Sequence, residues 1–339
     1  MDLSVSQPLC PCFTLERLNP NLQAWTDRLR SGDPRALARA ISAVENRAPE
    51  SSPLLKALFP HSGQARIFGL TGAPGAGKST LVDQLAHHYR RAGQTLGIIA
   101  VDPTSPYTGG AILGDRIRMQ EHHADTGIYI RSMATRGSLG GLARTTADVA
   151  TVLDASGRNL ILIETVGVGQ DEVDIVRVAD VTVVILVPGM GDDVQTIKAG
   201  IMEIADIFVI NKADRDGAER VEREIRAMQT LAIRSDNWTP PIVKTVASSG
   251  QGIEELVQAI DDYRAYLQQS DRARTRRIEN WRGRIAEMLR DALFQRVLSN
   301  YLSEREAVRF ATEVVEHKRD PYSLVEKIVE GLGRPDERN

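Results

Sequence analysis

Between Arg66 and about Tyr266 the chain alternates short, nearly continuous apolar runs with stretches whose apolar residues recur every three or four positions. The runs are Ile67–Leu70, Leu96–Val101, Ile128–Arg131, Leu160–Ile163, Val181–Val187, Ile207–Ile210 and Ile242–Val246. Helical spacing fits between them over Ser79–Arg91, Leu142–Leu153, Asp193–Met202, Ala218–Leu231 and Ile253–Leu267. A strand that is apolar on both sides needs cover on both faces. Such runs alternating with helices predict an α/β fold with a mainly parallel sheet between helical layers. In that architecture ligands bind beyond the carboxyl ends of the strands.

The flanks read differently. Residues 1–18 hold two prolines and both cysteines without a period and are expected to be poorly ordered. Over 19–62, Leu22, Trp25 and Leu29, then Leu37, Ala40, Ile41 and Val44 after Asp33-Pro34, predict a helical extension. The core domain spans 63–268. From 269 to 339 helical spacing continues without strands, and Ile278, Trp281, Ile285, Leu289 and Leu293 form an apolar stripe on a helix that begins in an arginine cluster. A stripe of this kind has to be buried. Self-association through the arm is the expected cover.

Composition narrows the function classes. The 339 residues are 42% apolar and 26% charged with a net charge of −3, ordinary values for a globular chain and no global field for nucleic acid or anionic membrane. The arginine cluster lacks the interleaved aromatics of a nucleic-acid platform. Cys10 and Cys12 cannot build a disulfide framework, and the pairs His87-His88 and His122-His123 fall in helical spacing where neighbours diverge. No apolar run is long enough to span a bilayer. The start of the chain lacks a basic segment followed by an apolar one. Together these readings point to a cytoplasmic protein.

The chemistry sits at the strand ends. Gly72-Ala73-Pro74-Gly75-Ala76-Gly77-Lys78-Ser79-Thr80 follows the first run and opens a helix, fitting the phosphate-loop pattern G-x-x-x-x-G-K-[ST] in its required context. Backbone N–H groups and the helix start cradle phosphate oxygens. Lys78 is placed for the β- and γ-phosphates, and the Ser79 hydroxyl for Mg²⁺. Asp102 and Glu164 close two further runs, and Asp115 follows Gly109-Gly110. These three carboxylates join Ser79 as metal candidates, because Mg²⁺ takes few protein oxygens beside phosphates and waters. Lys78, Glu164 and Asp115 are the catalytic candidates, and the Gly167 N–H is a candidate for the γ-phosphate. Asn211-Lys212-Ala213-Asp214 fits N-K-x-D at another strand end. The Asp214 carboxylate can accept from guanine N1–H and the exocyclic amine, donors that adenine lacks there. Asn211 can bond the base edge, the Lys212 stem can cover the ring, and Ala247, Ser248 and Ser249 can present N–H groups to the guanine carbonyl. GTP and GDP are the expected ligands.

Several linked stretches carry a more specific resemblance. They are Val101-Asp102-Pro103-Thr104-Ser105, Gly109 to Asp115, Thr135 to Leu142, Glu164-Thr165-Val166-Gly167-Val168-Gly169-Gln170 and Pro188 to Asp192. Over residues 20–330 the chain resembles the MeaB family, the bacterial relatives of MMAA, formerly annotated ArgK. The resemblance implies a three-layer phosphate-loop GTPase of the SIMIBI class, homodimeric through its C-terminal helices. It also implies a chaperone role toward an adenosylcobalamin-dependent acyl-CoA mutase, with the cobalamin belonging to the mutase. The family's nucleotide and metal roles fall on Gly72 to Thr80, Asp102, Asp115, Glu164, Asn211 and Asp214. Val168 stands where small G proteins carry a water-orienting glutamine, so hydrolysis by the isolated chain is expected to be slow. A nickel metallochaperone GTPase and a phosphotransferase are the alternative classes.

The base assignment has a direct consequence. GTP should be preferred over ATP by about 10⁴-fold, since a site built to bond donors rejects an analogue lacking them. Asp214→Asn should move the preference toward xanthosine triphosphate. Competition binding with the three nucleotides checks this; equal ATP and GTP affinities in the parent would refute it.

Overall fold

The computed structural model describes residues 19–102, 125–134, 141–165, 175, 178–189, 204–231, 236–269, 271–300 and 302–331. The expected helix Asp193–Met202 lies outside them, as do residues 1–18.

The strands are β1 (Arg66–Gly72), β2 (Leu96–Asp102), β3 (Ile128–Ala134), β4 (Leu160–Thr165), β5 (Val181–Leu186), β6 (Ile207–Asn211) and β7 (Ile242–Thr245). They form one seven-stranded sheet in the order β3-β2-β4-β1-β5-β6-β7, and every pairing is parallel. The four strands β1, β2, β4 and β6 run one or two residues past their apolar runs, into Gly72, Asp102, Thr165 and Asn211. Ladder hydrogen bonds need no apolar side chain, so the sheet carries these polar residues to its carboxyl edge. β7 stops at Thr245, and Val246 instead makes an antiparallel bridge with Gln251.

Helices α1 (Pro20–Arg30), α2 (Pro34–Glu45) and α3 (Ser51–Leu58) precede the sheet; α4 (Lys78–Arg91), α5 (Gly141–Ala155), α6 (Ala218–Leu231) and α7 (Ile253–Gln268) cover it. Strand alternation sorts the core by face. Phe68, Ile98, Leu162, Val183 and Val209 pack with Leu81, Leu85, Leu256, Ile260 and Tyr263 of α4 and α7. On the other face Ile99, Val101, Met133, Ile161 and Ile163 pack with Leu37, Ile41, Leu54, Val149 and Leu153 of α2, α3 and α5. Phe208 and Ile210 join Val221 and Ile225 of α6. Gly69 marks a close approach: a Cβ there would lie 2.6 Å from Ile175 Cγ1.

Two carboxylates, Asp154 buried and Asp180 half-buried, tie loops to this frame. The Asp154 side chain accepts from the Gln64 and Ala65 N–H groups at 3.3 and 2.9 Å, and Asp180 accepts from Ile67 N–H at 2.9 Å. Both constrain the entry to β1.

The described chain divides into two compact units between Asp271 and Arg272. The second comprises α8 (Arg272–Asn300), α9 (Glu304–Val315) and α10 (Pro321–Gly331). Helix α9 opens with a reciprocal capping box between Ser303 and Glu306. On α8 the side chains of Ile278, Trp281, Ile285, Met288, Leu289, Leu293 and Phe294 are exposed. No described helix is long and apolar enough to cross a membrane.

One core position carries an unfavourable group. Among the described residues the buried Tyr89 hydroxyl has no hydrogen-bond partner, and desolvation pushes its pKa from 10.0 up to about 12. Tyr89→Phe should therefore stabilise the protein by about 1 kcal/mol at neutral pH. The raised value keeps the folded tyrosine neutral while the unfolded one ionises. Parent stability should therefore fall between about pH 10 and pH 12, a loss the phenylalanine variant lacks. Urea unfolding at pH 8 and pH 11 measures both effects; a gap that narrows at pH 11 contradicts the assignment.

Candidate functional site

The carboxyl edge of β1 feeds the phosphate loop directly. Gly72 ends the strand, Ala76 N–H closes a turn on Ala73 C=O at 3.1 Å, and α4 starts at Lys78. Gly75 and Gly77 hold φ of 78° and 89°, the left-handed region that glycine enters without cost. Gly77 has a second reason to lack a side chain, because a Cβ would sit 2.3 Å from Asn211 Nδ2. Lys78 is buried, and its ammonium donates to Gly72 C=O at 2.7 Å and Ala73 C=O at 2.9 Å. The charge is thereby held against the loop. Pro74, Gly75 and Thr80 are exposed.

Beside the loop, the Ser79 hydroxyl donates to Glu164 Oε1 at 2.7 Å. Glu164 is buried at the end of β4, in register with Leu70 on one side and Ala100 on the other. A hydroxyl and a carboxylate in contact form an all-oxygen donor set, the kind that suits Mg²⁺. Asp102 ends β2 in register with Ala134; its side chain, Asp115 and Gly167 lie outside the described residues. A further pair, outside the sequence motifs, lies just behind: Thr165 Oγ1 donates to Thr71 Oγ1 at 2.9 Å, fully inside the sheet. Two threonines ending buried apolar runs were the available signal.

Asn211 ties the parts of the site together. Its side chain is buried, with Nδ2 donating to Ala76 C=O at 2.8 Å. Its Oδ1 accepts from Thr245 Oγ1 and Ala247 N–H, both at 3.1 Å. One amide thus joins the phosphate loop, the end of β6 and the turn after β7. Next to it, Lys212 adopts φ 56°, and its ammonium donates to Gly75 C=O at 2.8 Å. Left-handed backbone at a non-glycine residue costs on the order of 1 kcal/mol, and here it aims the lysine across the loop. Asp214 is exposed two residues on. Ala247–Ser249 form a 3-10 turn with Ala247 buried and Ser248 and Ser249 exposed. The edge therefore presents, side by side, a phosphate cradle, an oxygen pair and an exposed carboxylate beside a short turn.

A family model described as Methylmalonyl Co-A mutase-associated GTPase MeaB matches residues 37–301. The chain belongs to the MeaB family. A putative GTPase of Pyrococcus horikoshii is 47% identical over 313 residues, covering 90% of this chain and 96% of its own. The mouse protein named methylmalonic aciduria type A homolog, mitochondrial, is 37% identical over 281 residues, covering 75% and 68%. Among solved structures, one described as LAO/AO transport system kinase superposes with a TM-score of 0.70 at 26% identity, covering 94% of this chain and all of the other. As a MeaB member with a phosphate loop in its sheet, the protein is a GTPase of the phosphate-loop NTPase fold.

The Asn211 bonds set a contrast with Asp214. Asn211→Ala should lower affinity for GTP, GDP and xanthosine nucleotides alike, by at least about 10-fold, since it loosens loops rather than a base contact. Nucleotide competition separates the two: a changed base preference in the Asn211 variant would contradict the holding role.

Proposed function

We propose that this MeaB-family GTPase is a nucleotide-dependent switch that serves an acyl-CoA mutase, methylmalonyl-CoA mutase or a close relative. The observation carrying the reading is the family match over residues 37–301, whose description names association with that mutase. The name of the mouse relative, methylmalonic aciduria type A homolog, agrees with it. In this reading the GTPase gates delivery or release of the adenosylcobalamin held by the mutase and protects the loaded enzyme.

In the proposed reaction, water attacks the γ-phosphate and GDP leaves. The phosphate-loop N–H groups and Lys78 hold the β- and γ-phosphates and meet the charge that develops on them. To reach the phosphates, the Lys78 ammonium gives up its bonds to Gly72 and Ala73 C=O, a short rearrangement inside the loop. Ser79 and Glu164, with Asp102 and Asp115 by position, would hold Mg²⁺, which when bound supplies positive charge at the phosphate oxygens. Asp214 reads the guanine N1–H and amine, Lys212 covers the base, and the Ala247–Ser249 turn lies next to it. Val168 cannot orient water, so a bound mutase is assigned the role of completing the site. The exposed stripe on α8, from Ile278 to Phe294, is proposed to be covered by the same helix of a second copy, making the working species a homodimer.

The test measures GTP hydrolysis by the protein alone and with purified acyl-CoA mutases, and complex formation with GDP and with a non-hydrolysable GTP analogue. A mutase should bind with nucleotide-dependent affinity and raise the hydrolysis rate, because linkage makes the coupling reciprocal for binding. Absence of binding in both nucleotide states, with hydrolysis unchanged, would remove the mutase from this reading and leave a GTPase with another client.

A further inference from the structure

Asp102 is the last residue of β2. Its backbone is in register with Ala134 in the β2–β3 ladder. Among the described residues, Ala134 of β3 is its ladder partner. β3 is itself the edge of the sheet, so its position depends on β2 and on whatever packs against its face.

That packing comes from the helices ahead of the phosphate loop. Met133 joins the cluster built by Leu29, Leu37, Ile41, Leu54 and Leu58 of α1–α3. Arg131 lies two residues before Met133 and so on the same face of the strand. Its guanidinium makes a two-pronged pair with Glu45: Nε donates to Oε1 at 2.8 Å and Nη2 donates to Oε2. Nη2 also reaches Ser42 Oγ at 3.4 Å. The side chains are 22% and 12% exposed, which puts the pair beyond the screened surface bridges that contribute little. A fork-on-carboxylate geometry fixes direction as well as distance.

Glu45 is also poorly placed for its own helix. It is the last residue of α2, where the negative end of the helix dipole disfavours a carboxylate. Helix stability does not account for a glutamate there; the arginine opposite does. Arg131 precedes Ala134 by three residues, so the pair clamps the strand close to its registration with Asp102.

We propose that Glu45 and Arg131 are positioning residues for the Asp102 carboxylate, setting Mg²⁺ affinity in the nucleotide-bound protein from the N-terminal helical layer. The inference rests on the reading of Asp102 as one of the carboxylates that hold the metal. Neither residue touches nucleotide or ion. They act through β3, and the purely structural alternative is that they only staple the helices to the sheet.

The experiment titrates Mg²⁺ by calorimetry into the full-length protein loaded with a non-hydrolysable GTP analogue. Parent, Glu45→Gln, Arg131→Met, the exchange Glu45→Arg with Arg131→Glu, and Asp102→Ala are compared, with melting temperatures and Mg²⁺-free GDP affinity measured alongside. Loss of a supporting contact behind a metal ligand weakens affinity by about 10-fold or more. Glu45→Gln and Arg131→Met should each weaken Mg²⁺ binding by roughly that factor, with GDP affinity unchanged, and the exchange should restore much of it. If both single variants lower the melting temperature while Mg²⁺ affinity stays at the parent value and Asp102→Ala weakens it, the pair is a staple and the proposal is wrong. If Asp102→Ala leaves Mg²⁺ affinity unchanged, the metal reading of Asp102 fails and the proposal with it. Glu45→Asp keeps the charge but shortens the reach; it supplies the same readout should either single variant fail to fold.

Discussion

Parallel pairing is the constraint on which the rest depends. Strands hydrogen-bonded side by side in one direction bring all their carboxyl ends to one edge. Gly72, Glu164 and Asn211 are far apart in the chain, yet they lie at the carboxyl ends of β1, β4 and β6. The helices on both faces follow from the same constraint, since a crossover between parallel strands has to travel back along the sheet. Once the apolar faces are covered, the polar strand ends are what remains to meet a ligand.

At that edge, backbone and side-chain hydrogen bonds do more positioning than charge pairs. Asn211 ties the phosphate loop to the end of β7 and the turn after it through one amide, and Lys212 adds a second contact to the phosphate loop. The phosphate loop, the end of β6 and the turn after β7 are therefore tied to one another by hydrogen bonds. Ser79 and Glu164 provide the corresponding link toward β4. The Thr71–Thr165 hydroxyl pair satisfies two polar groups that the sheet buries immediately behind the loop.

The helices outside the alternating region have distinct physical tasks. α1–α3 bury their apolar stripes on the β2–β3 side of the sheet and share a core with α5, so they are part of the first compact unit. α8 carries a row of exposed apolar side chains over its length.

The sequence by itself determined the α/β class, the run of seven strands, the phosphate loop, the guanine motif and the family, because those depend on local periodicity and on residues close together in the chain. Its strand ends fell short at Gly72, Thr165 and Asn211, since apolar patterning stops where a backbone ladder can still continue. The strand order, with β4 rather than β2 beside β1, was not legible, because pairing between distant segments leaves no local pattern. The same reason hid the holding role of Asn211: its amide suits a base edge as well as a carbonyl, and only folding brought Ala76, Thr245 and Ala247 within its reach. Glu45 and Arg131 read as ordinary charged residues 86 positions apart; the tertiary structure made them one ion pair by laying α2 across an edge strand.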